Sequence, residues 1–175
     1  MPKQCFDFSN LMESPKEDDM FRGVAGTLLV ILFAMMGLAY AAERGTPEEA
    51  KMMVEKAVVY LNEQGKDQAL AEFNKPDGLF VKGDLYVFAY NMDGVMVGHP
   101  NPKLIGVNLL DKTDSKGKLF RKEINELAKT KGSGWVDYTY LNPVSKQEEP
   151  KTTYIQRVDD LIICCGAYKL PAQNQ

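Results

Sequence analysis

The spacing of hydrophobic positions changes once along the chain, from a helical period to a period of two. Thr46-Pro47-Glu48-Glu49 combines a capping residue, a first-turn proline and a glutamate three residues after the cap, which predicts a helix start. Apolar side chains then recur three and four residues apart until Gly65, so we expect one amphipathic helix over residues 47–63. A second short helix is predicted from Asp67 to the Pro76-Asp77-Gly78 turn.

Beyond Gly83 the period of the pattern changes from helical to two, which is typical of strands. Residues 85–91 and 95–99 are predicted to form a hairpin with Met92-Asp93-Gly94 as its turn. After a loop and a short amphipathic helix near residues 120–128, further strands are predicted over 135–140, 152–158 and 161–168. The economical packing for this order is an antiparallel five-stranded sheet with helices on one side, an α+β fold.

An apolar, uncharged segment from Gly23 to Ala42 precedes these elements. It follows Arg22 and ends in Ala39-Tyr40-Ala41-Ala42, which presents small residues two apart, as a secretory signal requires. We therefore expect residues 1–41 to be an export segment, with 20–41 as signal peptide and the acidic stretch 1–19 as an over-long start. The mature domain is then 42–175, periplasmic or secreted.

An uncleaved anchor is the alternative for the same segment, because about 20 apolar residues can span a bilayer. Residues 23–42 would then hold the domain at the inner membrane. In both cases the remainder of the chain lies outside the cytoplasm.

Composition narrows the function classes. The chain of 175 residues is 45% hydrophobic and 26% charged with a net charge of −3, which indicates one globular domain. The acidic balance argues against a nucleic-acid binder. One histidine and three cysteines are too few for most zinc sites or for a disulfide scaffold. We expect neither a metal nor a cofactor.

Four blocks of the sequence, in the same order, resemble single Cache domains. They are Asp84–Pro102, which resembles the central hairpin, then Leu104–Asp111, Gly134–Tyr138, and Pro150-Lys151 followed by Tyr154. Cache domains are extracytoplasmic PAS-like sensors of chemoreceptors and sensor histidine kinases. The resemblance covers about Pro47 to Tyr168 and implies a PAS-like five-stranded sheet with a long N-terminal helix and a short connecting helix. Because the chain stops at Gln175, we expect a free-standing Cache protein.

Aromatic residues on the first long strand are candidates for a ligand pocket. Side chains alternate along a strand, so Tyr86, Phe88 and Tyr90 share one face. They form either core against the long helix or a pocket wall whose hydroxyls orient a polar ligand. His99 ends the partner strand and is either a structural residue or a donor to a carboxylate, with binding then pH-sensitive near ~6.5.

The remaining candidates lie on the later strands. The resemblance implies that Lys151 points into the pocket, where a buried ammonium needs an anionic partner. Tyr154 is three residues further on and shares that face only if the strand bends. Trp135 is either a core plug or a pocket lid. The predicted ligand-binding set is Tyr86, Phe88, Tyr90, His99, Trp135, Tyr138, Lys151 and Tyr154.

Two functions remain open. The first is a sensor for a short carboxylate such as acetate, propionate or pyruvate, which reports its state to a membrane receptor, kinase or transport partner. The second is a structural or protein-interaction domain with a vestigial pocket. A cavity lined by Tyr90, Lys151 and Tyr154 would favour the sensor.

An enzyme is not expected, because Cys164 and Cys165 lie in an apolar strand where thiols are normally inert. The basic residues between Lys112 and Lys131 alternate with carboxylates, so we predict a solvated helix face and no nucleic-acid partner.

Overall fold

The structure, a computed structural model, describes residues 44–169. The predicted start 1–19, the signal 20–41 and the alternative anchor 23–42 lie outside the described residues, so they stay predictions. Within residues 44–169, no helix is both long and apolar enough to cross a bilayer.

Two consecutive helices begin the described chain, α1 over Pro47–Gln64 and α2 over Lys66–Phe73. The predicted capping box is present: Thr46 Oγ1 accepts from the Glu49 amide at 3.1 Å, and the Glu49 carboxylate accepts from the Thr46 amide at 3.0 Å. Gly65 ends α1 with a φ of 82°, a conformation that glycine adopts without strain. Both predicted helices are therefore confirmed.

Within residues 44–169, six strands form one antiparallel sheet. They are β1 Val81–Lys82, β2 Leu85–Asn91, β3 Met96–Gly98, β4 Ser133–Leu141, β5 Glu148–Val158 and β6 Leu161–Tyr168. Their order is β1-β2-β6-β5-β4, and β3 also pairs with β2. The α+β class is confirmed, with one strand more than the five predicted, because two residues of β1 pair with the start of β2.

Strand β5 begins four residues earlier than predicted. Its first residues already pair with the end of β4, beginning at Leu141 opposite Glu148. Lys151 therefore lies within the sheet instead of at the start of a strand. This position decides the environment of its ammonium group.

Helices cover both faces of the sheet, so the prediction of helices on one side is wrong. Helices α1 and α2 pack on the face that carries Leu85, Val87 and Ala89. Helix α3, Phe120–Thr130, packs on the opposite face. Both faces of the central strands are apolar, and each needs a cover to exclude water.

The chain between β3 and α3 is fixed to strand β4 and to the end of helix α2. It contains a short 3₁₀ turn at Pro102–Leu104. Asp114 accepts from the Thr139 amide of β4 at 3.0 Å, and the His99 amide donates to Asn74 Oδ1 at 2.9 Å. These bonds set where His99 and α3 meet the sheet.

Candidate ligand-binding site

Lys151 lies in the middle of the sheet on the face covered by α3. On β5 it pairs with Tyr138 of β4 and Tyr168 of β6, and it is only 1% exposed. Its aliphatic stem passes over Gly166, where an added Cβ would lie 2.5 Å from Lys151 Cε. The lysine side chain therefore uses the space that a glycine leaves on the neighbouring strand.

Aromatic rings surround the Lys151 ammonium. Nζ lies 4.0 Å from the ring centre of Tyr86 and 4.4 Å from that of Tyr168, with Phe88 and Tyr140 at 5.7 and 5.8 Å. Nζ donates to the Tyr168 hydroxyl at 3.3 Å, and that hydroxyl donates to the Leu141 carbonyl at 2.8 Å. Cation–π attraction offsets part of the desolvation cost of the charge.

Lys151 forms no ion pair with any other residue of the 44–169 range. Burial disfavours the charged form and lowers the pKa of Lys151 to about 7. Ammonium and neutral amine are thus both well populated at neutral pH. An anion next to Nζ would favour the ammonium.

We expect Gly166→Ala to destabilise the domain by about 1–3 kcal/mol, because overpacking forces neighbours to shift. The added methyl would lie 2.2 Å from Thr153 Oγ1 as well as against the Lys151 stem. Denaturant unfolding measures the change. Gly117→Ala is the control, since its Cβ would meet no atom within 4 Å and only its φ of +81° opposes the change. A Gly166→Ala protein as stable as wild type would contradict this packing.

A second buried cation, Arg121 on α3, faces the same region. It is 7% exposed. Its Nε donates to the Tyr90 hydroxyl and its Nη1 to the Lys112 carbonyl, both at 3.2 Å, and its guanidinium lies 4.1 Å from the centre of the Phe120 ring. Like Lys151, it has no carboxylate partner in the described part of the chain.

Arg121 is the site residue that the sequence analysis missed. It was included in the solvated basic face, and that prediction is wrong for this residue. The signal was present: Ile124 and Ala128 follow it three and seven residues later, so Arg121 shares the apolar face of α3. Its neighbour Lys122 points outward and pairs with Asp111 at 2.7 Å.

A cavity of about 10 Å³ lies between the sheet and α3. It is lined by Tyr86, Phe88, Tyr90, Met96, His99, Phe120, Arg121, Tyr138 and Tyr140. This volume holds about one water molecule, so an organic acid can enter only if side chains move.

The expectation that Lys151 itself lines the cavity needs correction. Its Nζ lies against the rings of Tyr86, Phe88 and Tyr140, and these rings form part of the cavity wall. The cation therefore acts on the cavity from behind an aromatic layer. Of Tyr90, Lys151 and Tyr154, the three residues named as diagnostic, only Tyr90 lines this space.

The hydroxyl groups of Tyr90 and Tyr138 bring donors to the cavity. Tyr90 accepts from Arg121, so its own proton remains for another acceptor. Tyr138 is hydrogen-bonded to Thr153 at 2.9 Å and its ring stacks on Phe120 with centres 3.8 Å apart. Burial raises the pKa of both phenols, which keeps them protonated.

His99 is a neutral residue at the edge of the cavity. Burial, and then the charges of Lys151 and Arg121, lower its pKa to about 4. The expected titration near 6.5 is therefore wrong, because burial and, after it, two neighbouring cations disfavour the protonated form. Nδ1 accepts from the Asn101 amide at 2.8 Å, so the neutral ring carries its proton on Nε2.

Trp135 and Tyr154 lie on the other face of the sheet, and their placement in the pocket set needs correction. They are paired across β4 and β5 with ring centres 5.1 Å apart, and Lys51 of α1 lies over the Tyr154 ring. Strand β5 keeps an unbroken register with β4 and β6 from Lys151 to Tyr154, so no bend brings both side chains to one face. Trp135 is 41% exposed, which fits neither a core plug nor a pocket lid.

Fold and site together define a class of protein: a PAS-like α+β domain whose sheet and short helix enclose a small aromatic cavity beside two buried cations. A Cache domain family profile matches residues 49–169. The chain therefore belongs to the Cache domain family. A search of curated proteins gave no significant match.

Solved structures agree with this assignment. A periplasmic sensor domain of a chemotaxis protein is 27% identical, with a TM-score of 0.56 over 69% of this chain and 88% of that one. A Cache chemosensory domain described as recognising carboxylic acid is 25% identical, with a TM-score of 0.54 over 88% and 99% of the two chains. A methyl-accepting chemotaxis protein from Vibrio parahaemolyticus shares the fold, with 20% identity and a TM-score of 0.60 over 78% and 95%.

Proposed function

We propose that this Cache domain is an extracytoplasmic sensor of a short carboxylate, whose bound state is passed to a membrane signalling or transport partner. One observation carries the proposal: Lys151 and Arg121 are buried beside the same cavity, and neither has a carboxylate partner within residues 44–169. Buried charges without partners are costly, and an anionic ligand would compensate both.

The donors around the cavity suit a carboxylate. The planar fork of Arg121 matches the two oxygens of a carboxylate, and the Tyr90 hydroxyl and His99 Nε2–H can donate to the same group. Lys151 adds positive potential through the aromatic layer. The likeness to a periplasmic chemotaxis sensor and to a carboxylic-acid-recognising Cache domain supports the ligand class and the location.

A non-catalytic role fits the cysteines. Burial raises the pKa of Cys164 well above its usual value and that of Cys165 to about 12. Because the thiolate is the nucleophile, both thiols are poor nucleophiles at neutral pH.

A thermal-shift screen with two- to four-carbon acids tests the proposal. A ligand of four to six heavy atoms gains at most about −1.5 kcal/mol per atom, so micromolar affinity is near the upper limit. We expect acetate, propionate or pyruvate at millimolar concentration to raise the melting temperature, and the matching primary alcohols to have no effect. If no acid raises it, the carboxylate proposal is wrong.

The size of the cavity favours a second candidate, a structural domain with a vestigial pocket. A volume of about 10 Å³ is what self-filling side chains would leave. The thermal-shift screen distinguishes the two functions, because an acid should raise the melting temperature of a sensor and leave that of a structural domain unchanged.

We also expect ligand affinity to fall above pH 7. A carboxylate in the cavity favours the ammonium form of Lys151 through the aromatic layer. The pKa of Lys151 in the free protein is about 7, so binding above that pH takes up a proton. The dissociation constant should rise by up to tenfold per pH unit between pH 7 and 9. Calorimetry in two buffers of different ionisation enthalpy should report uptake of nearly one proton at pH 8. If the affinity is constant from pH 6 to 9 and the binding heat does not depend on the buffer, the bound acid does not favour the ammonium form of Lys151.

A further inference from the structure

A groove of about 290 Å³ lies directly outside the small cavity. Tyr86, His99 and Tyr140 line both spaces. Displacement of one of these shared side chains would open the inner cavity towards the groove. The two spaces would then become one continuous site.

The walls of the groove are fixed loops. The β4–β5 turn is held by Glu149, which is only 5% exposed and accepts from Asn142 at 3.0 Å, Ser145 at 2.7 Å and both terminal nitrogens of Arg44 at 2.8 and 3.0 Å. The opposite wall is the 3₁₀ turn, closed by Asn101 Oδ1, which accepts from the Lys103 amide at 3.1 Å. The groove is therefore part of the fold and not a gap between loose segments.

The groove is mainly apolar, although Asn101 and Lys146 also line it, and His99 makes its inner end polar. Leu104, Leu141 and Pro143 form its walls, and Leu141 is 52% exposed although it lies beside a buried site. At the inner end, His99 Nε2–H has no hydrogen-bond partner among the residues described. The His99 Nε2–H donor thus lies where the polar head group of a ligand would be, with the apolar part of the ligand along the groove.

We propose that the preferred ligand is an aliphatic monocarboxylic acid of roughly five to eight carbons, longer than the acids that the inner cavity alone could enclose. This inference rests on the proposed function. The carboxylate lies at Arg121 and His99, and the hydrocarbon chain extends past Tyr86 and Tyr140 along Leu104 and Leu141. Burial of each methylene group favours binding about fourfold.

A chain-length series tests this inference on the full chain. We expect the affinity measured by calorimetry to increase from propionate to heptanoate by on the order of 100-fold. Heptanol, which has the same chain without the charge, should bind at least tenfold more weakly than heptanoate. Leu104→Gln and Leu141→Gln should each weaken heptanoate about tenfold and leave propionate within twofold.

Leu79→Gln is the matched control, because Leu79 is exposed and lies outside the groove; it should change neither affinity. Short acids that bind as tightly as long ones, or groove variants that leave heptanoate unaffected, would overturn the inference and leave the proposed function intact. Heptanol binding as tightly as heptanoate would also overturn it. If acids of every length fail to bind, the proposed function itself fails, and this inference with it.

Discussion

Lys151→Met is expected to remove most ligand binding and at the same time to stabilise the empty protein. Its ammonium attracts the acid through the aromatic layer without contacting it. At an effective dielectric of about 20 a charge at such a separation contributes about 2 kcal/mol, so affinity for the acid should fall by on the order of 30-fold. In the empty protein the same ammonium is desolvated and has no ion-pair partner in the described range. Methionine has a similar shape and no charge, and such replacements can stabilise a core by about 1–4 kcal/mol.

The gain in stability should depend on pH. The folded pKa of Lys151 is lowered to about 7, so between pH 7 and the pKa of the unfolded chain the unfolded state binds more protons than the folded state. Wild-type stability therefore rises with pH in that window, and the penalty is fully present only below pH 7. The advantage of Lys151→Met should be largest near pH 6 and shrink towards pH 9.

Urea unfolding at pH 6 and 9, with calorimetry for binding, checks both halves of this prediction. Lys169→Met is the control, because Lys169 is solvent-exposed and pairs with Asp137 at 3.0 Å. Its stability at both pH values and its affinity for the acid should stay near those of the wild type. If the Lys151→Met protein still binds the acid with wild-type affinity, Lys151 does not contribute to acid binding.

Arg121→Gln is expected to weaken acid binding by about 100-fold through loss of the cation that lines the cavity. Arg121→Lys should recover only part of the affinity, because an ammonium keeps the charge but not the planar fork. The glutamine variant should also lose about 1–2 kcal/mol of stability, since the bonds to Tyr90 and the Lys112 carbonyl are lost.

Tyr90→Phe separates the binding role of Arg121 from a structural one. It removes the hydroxyl that accepts from Arg121 Nε but keeps the charge, so the affinity should fall by less than tenfold. If Tyr90→Phe weakens binding as much as Arg121→Gln, the Tyr90 hydroxyl carries the effect, as donor to the acid or as the group that orders Arg121, and the charge of Arg121 does not. Calorimetry on the three variants at pH 6 makes the comparison.

The strand alternation predicted more of the site than the family resemblance did. It placed Tyr86, Phe88 and Tyr90 on one face and separated Tyr154 from Lys151, and both features are present. The predicted pocket set also contains Trp135 as a possible lid and Tyr154 on the condition that the strand bends. Their rings pair on the opposite face, because β5 continues through this region without a bend.

The sequence by itself determined most of the elements and the α+β class, because capping, periodicity and turn residues act over short stretches of chain, and the four ordered blocks indicated the family through their resemblance to Cache domains. Only the tertiary structure decided which cations are buried. Lys151 lost its solvent because β5 extends back to Glu148 and Gly166 leaves room on β6, and Arg121 lost its solvent because α3 covers the second face of the sheet. Desolvation depends on residues that are distant in sequence, and no local pattern specifies them.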